Sequence, residues 1–284
     1  MIFFRCYKRW SLENGEILLV LYHLFVLALV QGFTEFLPIS SSGHLVLTGK
    51  LLGWSDQGLA IDVAVHLGTL LAVMLYFWRD LWMMMVGIGK LCIGRTGVET
   101  RMLINVIVAT IPVVVAGYLL QDTIEAHLRD VRLIAWATIG FGVLLWIADK
   151  VGLTVWRVEH LTLKSAFLIG CAQVLALIPG TSRSGITMTA ARFLGMERSD
   201  SARFSMLMSI PTIAAAGMLI IIEIMQSDNV PLEHDMILAA ALAFVAGFVS
   251  IFALMAWLKR ATYTPFVLYR ILLGGGLLAW VYLG

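Results

Sequence analysis

QGFTEFLPISSSGHLVLTGKLLGW, residues 31–54, decides how this chain reads. An apolar run over 17–30 leads into it and a second, over 45–52, leads out. Neither reaches the ~20 residues that a helix needs to cross a bilayer. Between them stand Glu35, Pro38, the serines Ser40, Ser41 and Ser42, then Gly43 and His44. Ionisable and polar groups that deep in an apolar chain are costly, and they mark function by default.

The device returns 142 residues later as QVLALIPGTSRSGITMTAARFLGM, residues 173–196. The shift pairs Gln31 with Gln173, Ser40 with Ser182, Ser42 with Ser184, Gly43 with Gly185, Leu52 with Leu194 and Gly53 with Gly195, while Pro38 and Pro179 are one residue out of step. It is half of the 284-residue length. Interrupted apolar segments at matching places in two halves point to inverted repeats with a site between them, near the midplane of a membrane.

Composition sets the class. The chain is 60% hydrophobic and 13% charged, with a mean hydropathy of +0.92; a soluble domain is nearer 45–50% and ~25%. The expectation is an all-α polytopic membrane protein with a single integral domain over 1–284. It would comprise an N-terminal extension (1–16), a first repeat over about 17–150 and a second over about 163–284. A net charge of +2 gives no reason to expect nucleic acid, and Cys6, Cys92 and Cys171 make neither a CxxC pair nor an even disulfide framework. Arg5, Lys8 and Arg9 before an apolar run resemble a signal peptide, but no small-x-small cleavage site follows, so this reads as an uncleaved first helix.

Hydropathy places spans at 60–78, 102–120 (with Pro112 inside), 133–148, 201–224 (broken in character by Pro211), 236–258 and 263–283. The Gly-interrupted run 81–93 reads as interfacial, and polar loops fall at 121–130, 149–164 and 227–235. Six transmembrane helices plus two re-entrant helix pairs leave three spans per half. An odd number inverts the second half, so the re-entrant pairs enter from opposite sides and their tips meet near the midplane. Arg79, Lys90, Arg95, Lys150, Arg157, Lys164, Arg198, Arg203, Lys259 and Arg260 gather on one side, which is then cytoplasmic, with both termini outside. The basic N-terminus argues the other way.

Gln31 and Glu35 share a helix face at i, i+4. A buried carboxylate there suits a divalent cation or a proton transfer. Ser40, Ser41, Ser42 and Gly43 sit in a turn that opens a helix, where hydroxyls cap orphan N–H groups and the same groups bind an anion. Capping accounts for one serine, a phosphate site for the excess. His44, three residues from Ser41, is placed as its base. Thr181, Ser182, Ser184 and Gly185 repeat the turn. Beside them Arg183 brings a fork suited to phosphate, the sober alternative being a structural ion pair with Glu35. Asp62 and His66 are one turn apart and could support the site; Glu223 and Arg270, near span ends, read as snorkelling or paired.

QGFTEFLPISSSGH and PGTSRSG resemble the two signature motifs of the undecaprenyl-diphosphate phosphatase family of the bacitracin-resistance type, over nearly the whole chain from about Leu18. The resemblance implies an integral enzyme of the bacterial inner membrane, its active site toward the periplasm. Such an enzyme hydrolyses undecaprenyl diphosphate and so recycles the lipid carrier of cell-wall synthesis. It implies dependence on Mg²⁺ or Ca²⁺, catalytic roles for Glu35, Ser41, His44 and Arg183, and substrate contacts from Ser40, Ser42, Gly43, Thr181, Ser182, Ser184 and Gly185. Partners would be the lipid substrate and membrane lipids; a homo-oligomer is compatible with it. Some members carry a second Glu where this chain has Gln31, which leaves a cation with Glu35 and the weaker ligand Gln31. From the residues alone, a secondary transporter or flippase for a phosphorylated lipid remains the alternative, because midplane helix breaks in inverted repeats also build transporters.

Overall fold

The fold is taken from a computed structural model, which describes residues 22–52, 59–128, 130–152, 154, 156–226 and 233–283. The proposed extension over 1–16, Trp54 and the acidic residue Asp228 lie outside that part, as do the side chains of Ser42 and Glu223. Helices make up the regular structure of the described residues, with one isolated bridge between Trp156 and Met196 and short turns between the helices. Helix α1 covers 22–36 and α2 Ser41–Leu52. A bent pair follows, α3 (Leu59–Tyr76) and α4 (Trp78–Cys92), then α5 (Val98–His127) and α6 (Val131–Val151). The second half runs α7 (Leu163–Val174), α8 (Arg183–Phe193), α9 (Arg198–Gln226), α10 (Glu233–Leu258) and α11 (Thr264–Leu283).

By their described residues, four of these helices, α5, α6, α10 and α11, are long and apolar enough to cross a membrane. The α3–α4 pair makes a fifth if it counts as one broken span, bent by 80° at Phe77. The bend explains why an expected span at 60–78 ends where it does. Phe77 is buried as a hinge pin, and the chain then turns so that α4 buries Asp80, Met84 and Gly87 while Trp82 and Met85 face out.

Two expectations are corrected. Pro211 does not break α9, which runs through it without interruption. The span expected over 201–224 falls within α9, whose first half carries Arg198, Asp200, Arg203 and the buried serines Ser201, Ser205 and Ser209. The loop expected over 149–164 does not begin with a solvated residue either. Asp149 is buried in the last turn of α6, where its Oδ1 accepts from Arg198 Nε at 2.6 Å and lies 3.4 Å from Arg192 Nε. Its Oδ2 accepts from the backbone N–H of Tyr263 at 3.3 Å. One carboxylate thus ties the ends of α6 and α8 to the starts of α9 and α11.

With lipid as apolar as leucine, helices associate through close backbone contact at small residues. A Cβ on Gly68 of α3 would lie 2.1 Å from the Ala240 carbonyl oxygen of α10, one on Gly32 of α1 2.5 Å from Ala246 Cβ of α10, and one on Gly170 of α7 2.4 Å from the Ala109 carbonyl oxygen of α5. Thus α1 packs on a helix of the second half and α7 on a helix of the first, and the halves interlock. Around these seams the core is aliphatic and methionine-rich, with Phe36, Met188, Met206, Phe204 and Ile251 fully buried.

Gly68→Ala should therefore push α3 away from α10 and lower stability by about 1–3 kcal/mol, the usual cost of overpacking. Gly89→Ala, where a Cβ meets nothing within 4 Å, should be neutral or slightly stabilising. Thermal unfolding in detergent reads both, and equal melting points for the two variants would refute the close-packed seam.

Candidate active site

Each helix break is made the same way. α1 stops at Phe36, the turn 37–39 carries Pro38, and Ser40 takes a left-handed φ of 76°. In the second half Pro179 and Gly180 lead to Ser182, whose φ is 71°. Among the described residues these two serines, 142 apart, are the non-glycine residues with positive φ. The conformation costs ~1–2 kcal/mol per residue, and the return is a cap. The Oγ of Ser40 accepts from the Gly43 N–H at 3.3 Å, and that of Ser182 from the Gly185 N–H at 3.1 Å. Glycine suits both third positions, since a Cβ on Gly43 would crowd Ser40 Oγ at 3.2 Å and one on Gly185 would meet Arg270 Nη1 at 2.9 Å and Ser182 Cβ at 3.1 Å.

The two breaks come together. Ser184 Oγ donates to the Leu37 carbonyl at 2.9 Å, and Arg183 Nη2 donates to Glu35 Oε1 at 2.6 Å, both side chains largely buried. The other carboxylate oxygen, Oε2, accepts from Ser41 Oγ at 2.6 Å and from Gln31 Nε2 at 2.9 Å. Arg183 keeps a second anchor, Nη1 to the Ser205 carbonyl at 3.3 Å. Glu35, Ser41, Gln31 and Arg183 thus form one cluster built from α1, α2 and α8.

His44 stands apart from it. Ser41 directs its hydroxyl to Glu35, not to His44, so the contact expected between serine and histidine is replaced by one between serine and carboxylate. His44 Nδ1 bonds to the Ser40 carbonyl at 2.6 Å, and its Nε2 to the Tyr269 hydroxyl at 2.5 Å, with the two rings parallel within 7°. Thr181 is fully buried and its Oγ1 has no partner among the described residues. His66 turns back to its own helix, Nδ1 donating to the Asp62 carbonyl at 2.7 Å.

Sequence reasoning missed Arg270. It does not snorkel: it is fully buried in α11. Its Nε donates to the Thr138 carbonyl at 2.9 Å, Nη1 to Pro38 at 3.3 Å, and Nη2 to Gly180 at 3.0 Å and Thr181 at 2.9 Å. One guanidinium therefore collects carbonyls from both helix breaks and from α6. Its fork of five donors satisfies oxygens that lipid could not. The available signal was an arginine in the middle of an apolar run, in YRILLGGG, residues 269–276.

As a cation site the cluster offers the Glu35 carboxylate and the Gln31 Oε1, which is buried and has no partner. No group of three or more His, Cys, Asp or Glu side chains converges among the described residues. The donor set suits a hard cation that shares its shell with phosphate oxygens, as Mg²⁺ sites commonly do.

Residues 24–276 match a family model described as bacitracin resistance protein BacA. The chain is 48% identical over 266 residues to an undecaprenyl-diphosphatase of Roseobacter denitrificans, covering 93% of this chain and all of the relative. It is 50% identical over 260 residues to one of Hahella chejuensis, covering 91% and 97%. With one of Alteromonas mediterranea the identity is 46% over 269 residues, covering 93% and all of the relative.

Arg270→Met should orphan buried carbonyls on both breaks at once, at about 1–3 kcal/mol for each left unpaired. Arg270→Lys, with its donors at a single point, should recover part of the loss. The measurement is the melting temperature in detergent, and an unchanged value for the methionine variant would remove the clamp.

Proposed function

The chain belongs to the bacitracin resistance protein BacA family, and from that premise we infer that it is an undecaprenyl-diphosphatase. It is a multi-pass membrane enzyme that hydrolyses undecaprenyl diphosphate to undecaprenyl phosphate and inorganic phosphate. The single observation that carries the chemistry is the Glu35 carboxylate, held by Arg183 on one oxygen and by Ser41 on the other.

In the reading that this geometry supports, the terminal phosphate enters beside the Ser41 turn. Ser41 Oγ attacks phosphorus while its proton passes to Glu35 Oε2, the group that already accepts it at 2.6 Å. The bond from phosphorus to the bridging oxygen breaks and undecaprenyl phosphate leaves. Water then cleaves the serine phosphate, releasing inorganic phosphate and restoring the hydroxyl. Arg183 has the fork to follow two phosphate oxygens as charge shifts between them. The capped N-termini of α2 and α8 add free N–H groups and the positive ends of two helix dipoles. Ser40 and Ser182 serve as caps in this reading, while Thr181, Ser184, Gly43 and Gly185 shape the cradle. A bound Mg²⁺ or Ca²⁺, held by Glu35 and Gln31, would neutralise diphosphate charge.

An inverted repeat also belongs to this reading. It is supported by the matched Ser40 and Ser182 caps and by the exchanged packing of α1 and α7. A third match joins α6 and α11, where a Cβ on Gly142 would meet Arg270 and one on Gly274, 132 residues on, would meet Ile139 and the Ala135 carbonyl. The proposed arrangement has re-entrant pairs over 22–52 and 163–193, six crossings once α3–α4 and α9 are counted, and a bacterial inner membrane around them. The basic loops face the cytoplasm and the site opens to the periplasm.

Purified protein in detergent should release phosphate from undecaprenyl diphosphate without a sealed vesicle, which a transporter would need. Glu35→Gln should lower kcat by ~10²–10⁴-fold, the range for removing acid–base assistance, and Ser41→Ala, which removes the nucleophile, by at least as much. Near-normal phosphate release by Ser41→Ala would reject serine attack. Activity should vanish in EDTA and return with Mg²⁺ or Ca²⁺. Gln31→Glu would set a second carboxylate where Gln31 Nε2 now donates to Glu35 at 2.9 Å. Two carboxylates at that distance repel unless a cation lies between them, so this variant should need less Mg²⁺ for half-maximal rate. A requirement unchanged by Gln31→Glu would place the cation elsewhere.

A further inference from the structure

The proposed mechanism leaves His44 and its partner unused, although they sit at the rim of the same site. His44 Nδ1 lies 2.6 Å from the Ser40 carbonyl. A carbonyl oxygen can only accept, so Nδ1 carries a proton in every state of the ring. In the neutral imidazole Nε2 is then a bare lone pair, and the Tyr269 hydroxyl at 2.5 Å must be the donor to it. The two rings lie parallel with centroids 5.6 Å apart. The imidazole is therefore fixed twice: in tautomer by the Ser40 turn, and in plane and direction by Tyr269.

The placement of Tyr269 is itself determined. Consecutive residues on a helix point about 100° apart, and Arg270 is drawn into the core by four carbonyls of α6 and the two breaks. Once Arg270 is clamped, Tyr269 is left facing His44, half exposed at the edge of the site. The Ser40 turn that caps α2 also supplies the carbonyl that orients His44, so the aim of the ring is tied to the same helix break as Ser41.

We propose that Tyr269 is a positioning residue for the phosphatase reaction: it holds His44 with Nε2 directed to the rim of the site and shields that nitrogen until phosphate takes the place of the tyrosine hydroxyl. This rests on the undecaprenyl-diphosphatase reading above. His44 then presents a lone pair that can receive a proton, and once protonated its Nε2–H donates to a phosphate oxygen without a rearrangement of the ring.

Tyr269→Phe keeps the ring and removes the donor; Tyr269→Ala removes both. Phosphate release from undecaprenyl diphosphate should show kcat lowered roughly 10-fold to 100-fold, the scale of a misaimed catalytic group. The alanine variant should be the worse, with KM within about twofold in each case and the melting temperature held in the phenylalanine variant. A second measurement needs no turnover. Diethyl pyrocarbonate acylates a bare imidazole nitrogen, so His44, followed by peptide mass spectrometry, should be modified about fivefold faster in Tyr269→Phe than in the unaltered protein, the worth of one lost hydrogen bond. Unchanged kcat in Tyr269→Phe, or unchanged acylation of His44, would overturn the role of Tyr269. Absence of phosphate release from the unaltered protein would instead overturn the functional reading, while the acylation rates still judge the contact.

Discussion

A helix broken inside an apolar protein leaves carbonyls and N–H groups that lipid cannot satisfy, and this structure has two such breaks side by side. The arrangement depends on Arg270, whose guanidinium binds Pro38 of one break, Gly180 and Thr181 of the other, and Thr138 of α6. An arginine suits the task better than a lysine because its donors are spread in a rigid plane and reach oxygens in several directions. The cost is a cation buried with no carboxylate on it among the described residues. That positive charge lies next to the N-termini of α2 and α8, which in the proposed reading bind the diphosphate.

The functional cluster is asymmetric although the turns that present it are alike. Both are capped by a left-handed serine, yet the position matched to Ser41 is Arg183, that matched to Glu35 is Leu177 and that matched to His44 is Ile186. One half supplies the carboxylate, the hydroxyl and the imidazole, and the other supplies the guanidinium. The Glu35–Arg183 contact is thus a joint between the halves and, in the proposed mechanism, the centre of the chemistry. A buried ion pair is a poor source of stability in itself, because desolvation offsets the attraction. Here the Ser41 and Gln31 donors to Glu35, and the Ser205 carbonyl behind Arg183, complete the shell of both charges.

At the far ends of α6 and α8 the same rule operates with different residues. Asp149 is buried between Arg192 and Arg198 and holds the start of α11 through Tyr263. α11 is therefore fastened at its first residues by a carboxylate and at Arg270 by carbonyls, which gives Tyr269 a fixed place opposite His44.

Much of this was legible in the chain itself. Composition dictates a helical membrane protein, because 60% apolar residues with 13% charge cannot be buried in a soluble domain of this size. The two interrupted stretches and their 142-residue spacing point to the turns that carry the candidate site, since Glu35, the serines and Arg183 are costly among apolar residues. The resemblance of those motifs to a phosphatase family agrees with the relatives found. What the sequence could not supply were the pairings: Ser41 with Glu35 and not His44, His44 with Tyr269, Arg270 with both breaks, Asp149 with two arginines, and the 80° bend after α3. Hydropathy and spacing are local properties that report which residues are too polar for lipid. Which partner satisfies each is decided by contacts between residues as many as 232 positions apart in the chain, as in Pro38 and Arg270, and those exist only once the helices have packed.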